Sequence, residues 1–422
     1  MRDRALLRRI VYVIDATLFA RDYERYGMHY FAKRGIAVSV IDATALSHPN
    51  LLAIETGAPP PCAGIVVIPV TDGNMLDAQQ RLIEDADIVI NLVGMTGAPA
   101  PVRIYRLIAR SRTPYLVLAT NAFPSPRGPG SGRDGVLARV GNRLQRLFGG
   151  SVNPWHSLLA RMPKAVIGIT APAIVVHSGT RSRAVAAMFP TDATTEEVWA
   201  HSMDWEVYRA LRDSITAAEN IAVFIDQNVG FQRDLIAGNM DHPETAETYY
   251  PKLRATFDRI ERELGLDVVI AINPRSPHSD DFCRGLFGPR KVIKGDTAAT
   301  IARARLVLGH RSTAIGFAVM FAKPVLILTS APFQAHWLEG PGISAMAAAL
   351  GKVAQSIDTP ADINLSGAFA VDAAQYGRYL EAYVKTAASP DGGFWDIVAD
   401  AIERICLGAG VLTPERATAP AH

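Results

Sequence analysis

The 422-residue chain is 49% apolar and 20% charged, which is a globular composition rather than a disordered one. It is too long for one ordinary core, so two domains of roughly 150–200 residues each are expected. A formal net charge of +2 supplies no global field for nucleic acid.

Three cysteines, Cys62, Cys283 and Cys406, lie far apart and form no CxxC pair. They fit a reducing cytoplasm and read as small hydrophobes in the interior. The basic start Met1–Arg9 leads into an apolar run, Ile10–Ile14, that Asp15 ends too early for a signal sequence. No window reaches about 18 uninterrupted apolar residues, so no transmembrane helix is expected.

Ile10–Ile14 reads as a strand buried on both faces. A helical stretch from Phe19 to Lys33 stops at Gly35, and Ala37–Ile41 is a second strand. Gly64–Pro69, Asp87–Asn91 and Tyr115–Leu118 continue the series with helical sequence between them. Alternation at this spacing predicts a parallel sheet covered by helices. Ala165–Thr170 and Ala173–Val176 read as further strands.

A Pro/Gly/Ser loop, 124–132, opens an insertion running to about residue 163. Its helical part carries Val136, Leu137, Val140, Leu144, Leu147 and Phe148 on one side and Arg139, Arg143 and Arg146 on another. Such a basic amphipathic element suits a membrane surface or a partner. The chain changes character at 191–217, which reads as an inter-lobe connection holding His201-Ser202-Met203-Asp204-Trp205.

A second α/β series fills 218–372, with strands at Ile221–Ile225, Asp267–Ile272, Val292–Ile293, Leu306–Leu308 and Pro324–Leu328. Two terminal helices, Gln375–Thr386 and Phe394–Ile405, fall within 373–412. The expected fold class is therefore α/β: two Rossmann-like lobes, the first spanning 1–190 with an amphipathic insertion, and C-terminal helices crossing back to it.

In open α/β sheets, ligands gather beyond the carboxyl ends of the strands. In the second lobe those ends carry Asp226-Gln227, Asn273-Pro274-Arg275, and His310-Arg311-Ser312-Thr313. Gly309 permits a tight turn, and Ser312 or Thr313 can cap the following helix, a start that suits a phosphate. His310, Arg311, Arg275 and Lys294 can add donors to the same anion. Asp296 and Thr297 mark a second helix start. Asp15, Asp204 and Asp226 are the candidates for acid/base work.

GxGxxG after the first strand, GxxxxGK[ST], HExxH and GxSxG are all missing, so neither a cofactor nor zinc is expected. No obvious DxD is present, which makes a metal-independent mechanism the natural one.

The motifs Ile270-Ala-Ile-Asn-Pro-Arg275, Lys294-Gly-Asp-Thr297 and Gly309-His-Arg-Ser-Thr-Ala-Ile315, with Lys323-Pro324, resemble the nucleotide-binding half of GT-B glycosyltransferases. The nearest likeness is to capsule and lipopolysaccharide enzymes of the Kdo- and sialyltransferase type, and it covers roughly Phe224 to Leu328. It implies a CMP-linked acidic sugar as donor, with a UDP-linked one left open, and a glycan or glycolipid acceptor; the cysteine usage and the basic insertion point to a cytoplasmic enzyme peripheral at the inner membrane face. Asparagine stands at 273 where that resemblance calls for histidine, and it cannot carry a proton. A UDP-sugar epimerase of the same fold and a non-catalytic scaffold in polysaccharide assembly are the alternatives.

Overall fold

The computed structural model describes residues 7–52, 60–95, 98–126, 166–214, 217–232, 235–236, 240–274, 276 and 278–409. The amphipathic insertion, Arg275 and the tail beyond residue 409 lie outside them.

The first lobe is a seven-stranded parallel sheet in the order β3-β2-β1-β4-β5-β6-β7. Its strands are β1 (Arg9–Ile14), β2 (Ala37–Asp42), β3 (Ile65–Pro69), β4 (Ile88–Asn91), β5 (Tyr115–Leu118), β6 (Ile174–His177) and β7 (Glu196–Trp199). Residues Ile10 to Ile14 are all buried, as a strand with helices on both faces requires. The expected strand at 165–170 does not form. Residues 166–168 make a turn around Gly168, whose φ is +73°. Arg106 Nε instead donates to the Ile167 carbonyl at 2.6 Å.

The second lobe is a six-stranded parallel sheet in the order β10-β9-β8-β11-β12-β13. Its strands are β8 (Ile221–Ile225), β9 (Asp267–Ile272), β10 (Val292–Lys294), β11 (Leu306–Gly309), β12 (Val325–Thr329) and β13 (Gln355–Ser356). The 19-residue helix Ala246–Leu264 lays Tyr249, Tyr250, Leu253, Phe257 and Ile260 on this sheet. Pro251 lies inside this helix, at its sixth position, and lacks the N–H that would bond back to the Glu247 carbonyl.

Residues 191–214 hold more regular structure than their polar sequence suggests. They contribute the edge strand β7 and the helix Met203–Leu211. The chain returns through the helix Ala373–Tyr379, a π-helical turn Leu380–Val384 and the helix Phe394–Ala409. Phe394, Trp395, Val398, Ala401 and Ile402 then enter the core of the first lobe beside Ile10, Tyr12 and Phe31. Burying each aromatic there contributes about 2–3 kcal/mol of transfer free energy.

Among the described residues, no helix is long and apolar enough to cross a membrane.

Candidate functional site

Both sheets reverse their winding direction once. In the second lobe the chain runs outward from β8 through β9 to β10, then restarts on the other side at β11. The crevice between the ends of β8 and β11 is the switch point where ligands of such sheets bind. Gln227, just beyond β8, closes its floor. Its Oε1 accepts the Arg311 N–H at 2.9 Å, and its Nε2 donates to the Arg311 carbonyl.

Arg311 leaves that floor toward the other lobe. Its guanidinium lies over the Phe123 ring, 4.9 Å from the centroid, and Phe123 stands in the loop after β5. The carboxyl edges of the two sheets therefore face each other. Arg311 Nη1 also pairs with Glu339 Oε1 at 3.4 Å, at the start of the helix Glu339–Ala349. Gly342 makes room for this, because a Cβ there would sit 2.5 Å from Arg311 Cδ. Arg311 Nε and Glu339 Oε2 are buried and lack hydrogen-bond partners.

Asp226 is 6% exposed, and its Oδ1 also lacks a hydrogen-bond partner. Burial pushes its carboxyl up to about 7, although backbone N–H groups of Asn228 and Gln227 favour the charged form. Tyr249, Tyr250 and Cys283 are its neighbours in the field of that charge.

His310 corrects the sequence expectation of a phosphate donor. It is wholly buried. The Leu328 carbonyl accepts a hydrogen bond from Nδ1–H at 2.8 Å, which leaves Nε2 to accept from the Tyr249 hydroxyl. Burial lowers its pKa to about 4, so the ring is neutral and both nitrogens are engaged inside the lobe. The helix after it starts later than expected, at Ile315 with Ala314 as N-cap. Ser312 Oγ instead accepts the Ala314 N–H at 3.2 Å, and Thr313 is exposed.

The loop after β9 carries Asn273, which is exposed, and Pro274 in a turn. Lys294 at the end of β10 donates to the Ser276 carbonyl at 2.7 Å and so holds that loop. Asp296 occupies the N-cap of the helix Thr297–Arg303 without a side-chain capping bond. Thr297 is its first residue.

Sequence reasoning missed His278, five positions beyond Asn273. His278 stacks on Phe282 at 4.2 Å between centroids, and Phe231 meets both edge-on. Its Nε2–H donates to Asn228 Oδ1 at 2.8 Å. Asn228 itself adopts a φ of +57°, which asparagine tolerates better than most residues. Phe282 is 41% exposed, an apolar face open to a ligand.

The first lobe has its own switch point, between β1 and β4. Asp15 follows β1, and its Oδ2 lies 3.7 Å from His48 Nε2. Asn91 ends β4, fully buried, with Nδ2 unpartnered. Asp204 is placed elsewhere. It accepts from Arg25 Nη1 at 2.7 Å and ties the first lobe to the helix Met203–Leu211. An Asp-x-Asp spacing does occur, at Asp85-Ala86-Asp87, but at the amino end of β4. There Asp87 accepts the backbone N–H groups of Arg8 and Arg9, each at 2.7 Å.

No family model matches the sequence, and no curated protein matches it. Solved structures do. A variant of the wall teichoic acid polymerase TagF has a TM-score of 0.52 at 11% identity, over 97% of this chain and 91% of that one. A second TagF variant gives 0.51 at 8%, over 96% and 91%. MurG from Acinetobacter baumannii gives 0.44 at 11%, over 94% and 99%. The chain has the two-lobed GT-B fold. At such identities the likeness shows the fold alone.

Proposed function

We propose that the protein is a glycosyltransferase that moves a sugar from a nucleotide-activated donor to a glycan or lipid-linked acceptor. One observation carries this reading. Arg311 Nε and Glu339 Oε2 are buried without partners at the second-lobe switch point, against Phe123 of the opposite lobe. Leaving a buried polar atom unpaired costs about 1–3 kcal/mol. A sugar nucleotide bound in the crevice supplies both an anionic acceptor for the guanidinium and hydroxyl donors for the carboxylate.

The remaining parts fit around it. Asn273 and Pro274 begin the loop that carries His278, and the Phe231, His278 and Phe282 rings suit a nucleobase face. Ser312, Thr313, Thr297 and Lys294 edge the donor seat. Because Asp15 lies beside His48 at the facing switch point, that pair suits deprotonation of an acceptor hydroxyl. A CMP-linked acidic sugar is the donor favoured by the sequence motifs, and the basic insertion would bring the enzyme to a membrane surface.

The test is calorimetric titration with CMP, CDP and UDP, followed by transfer assays with the corresponding sugars. Binding weakened about tenfold or more in Arg311→Ala, with the wild-type melting temperature retained, supports the seat. Equal affinity of both proteins for every nucleotide sinks it. Loss of turnover in Asp15→Asn and His48→Ala with donor affinity unchanged would assign that pair to the acceptor.

A further inference from the structure

A second set of chemistry-bearing side chains lies on the first lobe, away from the cleft. Cys62 is in the short segment before β3, at the amino end of the sheet, whereas the donor and acceptor edges are carboxyl ends. Its Sγ is 2.7 Å from His29 Nε2. On the opposite side of the imidazole, Nδ1 is 2.7 Å from Glu24 Oε1. The three residues come from three separate elements: Glu24 from the helix Ala20–Arg25, His29 from the helix Met28–Ala32, and Cys62 from the loop.

Local packing fixes this arrangement. Gly27, at a φ of +72°, turns the chain sharply between the two helices and brings Glu24 and His29 together. Tyr23 stacks on the His29 ring at 5.7 Å, and its hydroxyl donates to the Pro60 carbonyl at 2.8 Å, which anchors the loop bearing Cys62. Lys33 Nζ reaches the same Glu24 oxygen at 3.2 Å. Cys62 is only partly buried and the His29 side chain is 27% exposed, so a small reagent has access. Cys283, by contrast, is buried.

We infer that Cys62 is a nucleophilic thiol, with His29 as its base and Glu24 orienting the imidazole, and that it exchanges with low-molecular-weight disulfides. The geometry is that of nucleophile, base and orienting group in line, the arrangement that activates cysteine in covalent chemistry. In the step, His29 Nε2 takes the thiol proton and the Cys62 sulfur attacks one sulfur of the disulfide. A new S–S bond forms on Cys62 as the old one breaks. Cys62 is oxidised, and the departing thiolate carries the electron pair and takes the proton back from His29. The product is a mixed disulfide on the first lobe. The titratable groups facing the pair are Glu24, Lys33 and Tyr23, with Asp22 and Asp42 acting on Tyr23.

The experiment uses the full chain with two probes, oxidised glutathione for exchange and iodoacetamide for alkylation, and peptide mass mapping to assign each event. The expected result is a mixed disulfide on Cys62 ahead of Cys283 and Cys406. Alkylation of Cys62 should be roughly tenfold faster at about pH 6.5 than that of a free peptide of the same local sequence. His29→Ala should remove that advantage and Glu24→Gln should reduce it, with the rates converging on the wild type at strongly alkaline pH, where the base is no longer needed. If His29→Ala fails to fold, the wild-type pH profile decides alone. A Cys62 rate that falls in parallel with the peptide's as the pH drops overturns the inference, as does an unchanged rate in folded His29→Ala.

Discussion

The side-chain amide of Gln227 clasps both backbone polar groups of Arg311, joining the end of β8 to the end of β11. A glutamine matches a peptide group donor for acceptor, so it fixes the switch-point floor without charge. Gln227→Ala would leave the Arg311 N–H and carbonyl to water and loosen the residue that reaches Phe123. We expect nucleotide affinity to drop by about tenfold to a hundredfold, which is ~1.4–2.8 kcal/mol, with little change in melting temperature. Calorimetry beside thermal unfolding separates the two effects.

Asp226 should make stability pH-dependent. Its carboxyl is pushed up to about 7 from an ordinary 3.8, so the fold favours the neutral form. The sign follows from that. The contribution is complete below about pH 4 and is lost as pH rises through about 7. Its full size is of order 4 kcal/mol. Asp226→Asn should unfold at nearly the wild-type denaturant midpoint at about pH 4.5 and above it at about pH 8. A difference independent of pH would contradict this burial argument.

His310 predicts the opposite limb. Its pKa is lowered to about 4 by burial, so its contribution is present above the unfolded value near 6.5 and is lost as pH falls toward 4. His310→Ala would strand the Tyr249 hydroxyl and the Leu328 carbonyl and open a void. The expected cost is about 2–4 kcal/mol by urea unfolding. A variant that keeps full stability but loses nucleotide affinity would return His310 to the role of phosphate donor.

Gly27 and Trp395 meet so closely that a Cβ at 27 would lie 2.3 Å from the indole ring. Gly27 also holds a φ of +72°. Gly27→Ala therefore combines backbone strain with overpacking, at about 2–4 kcal/mol. Trp395→Ala in the same background should remove the overpacking part. A double-mutant cycle that shows strict additivity would deny the contact.

The strands that carry the site were legible because their burial is written in composition. Ile10–Ile14, Ile221–Ile225 and Val268–Ile272 are short apolar runs rich in β-branched residues, as strands covered on both faces require. Strand β7 was not legible. Glu196-Glu197-Val198-Trp199 has the charged composition of an edge strand, which resists pairing with other chains. His310 followed the rule that polar residues after strands face the ligand, yet its ring turned inward to Tyr249 and Leu328. Such partners, 61 and 18 residues away, leave no local signal. The pairing of Arg311 with Phe123 is likewise a product of packing between the lobes, and the meetings of Arg311 with Glu339 and of Cys62 with His29 are products of packing within one lobe.

The helix Phe394–Ala409 gives the molecule an unequal birth. Synthesis proceeds from the amino end, and domains tend to fold as they emerge. Of the two lobes, the one made first lacks Phe394, Trp395, Val398, Ala401 and Ile402 from its core until those residues have followed the second lobe off the ribosome. The second lobe closes its core around Tyr249, Phe257 and Phe333 with material already in hand. The older half waits for the younger one to hand it a last wall, and until then Ile10, Tyr12 and Phe31 lack the side chains that cover them in the finished fold.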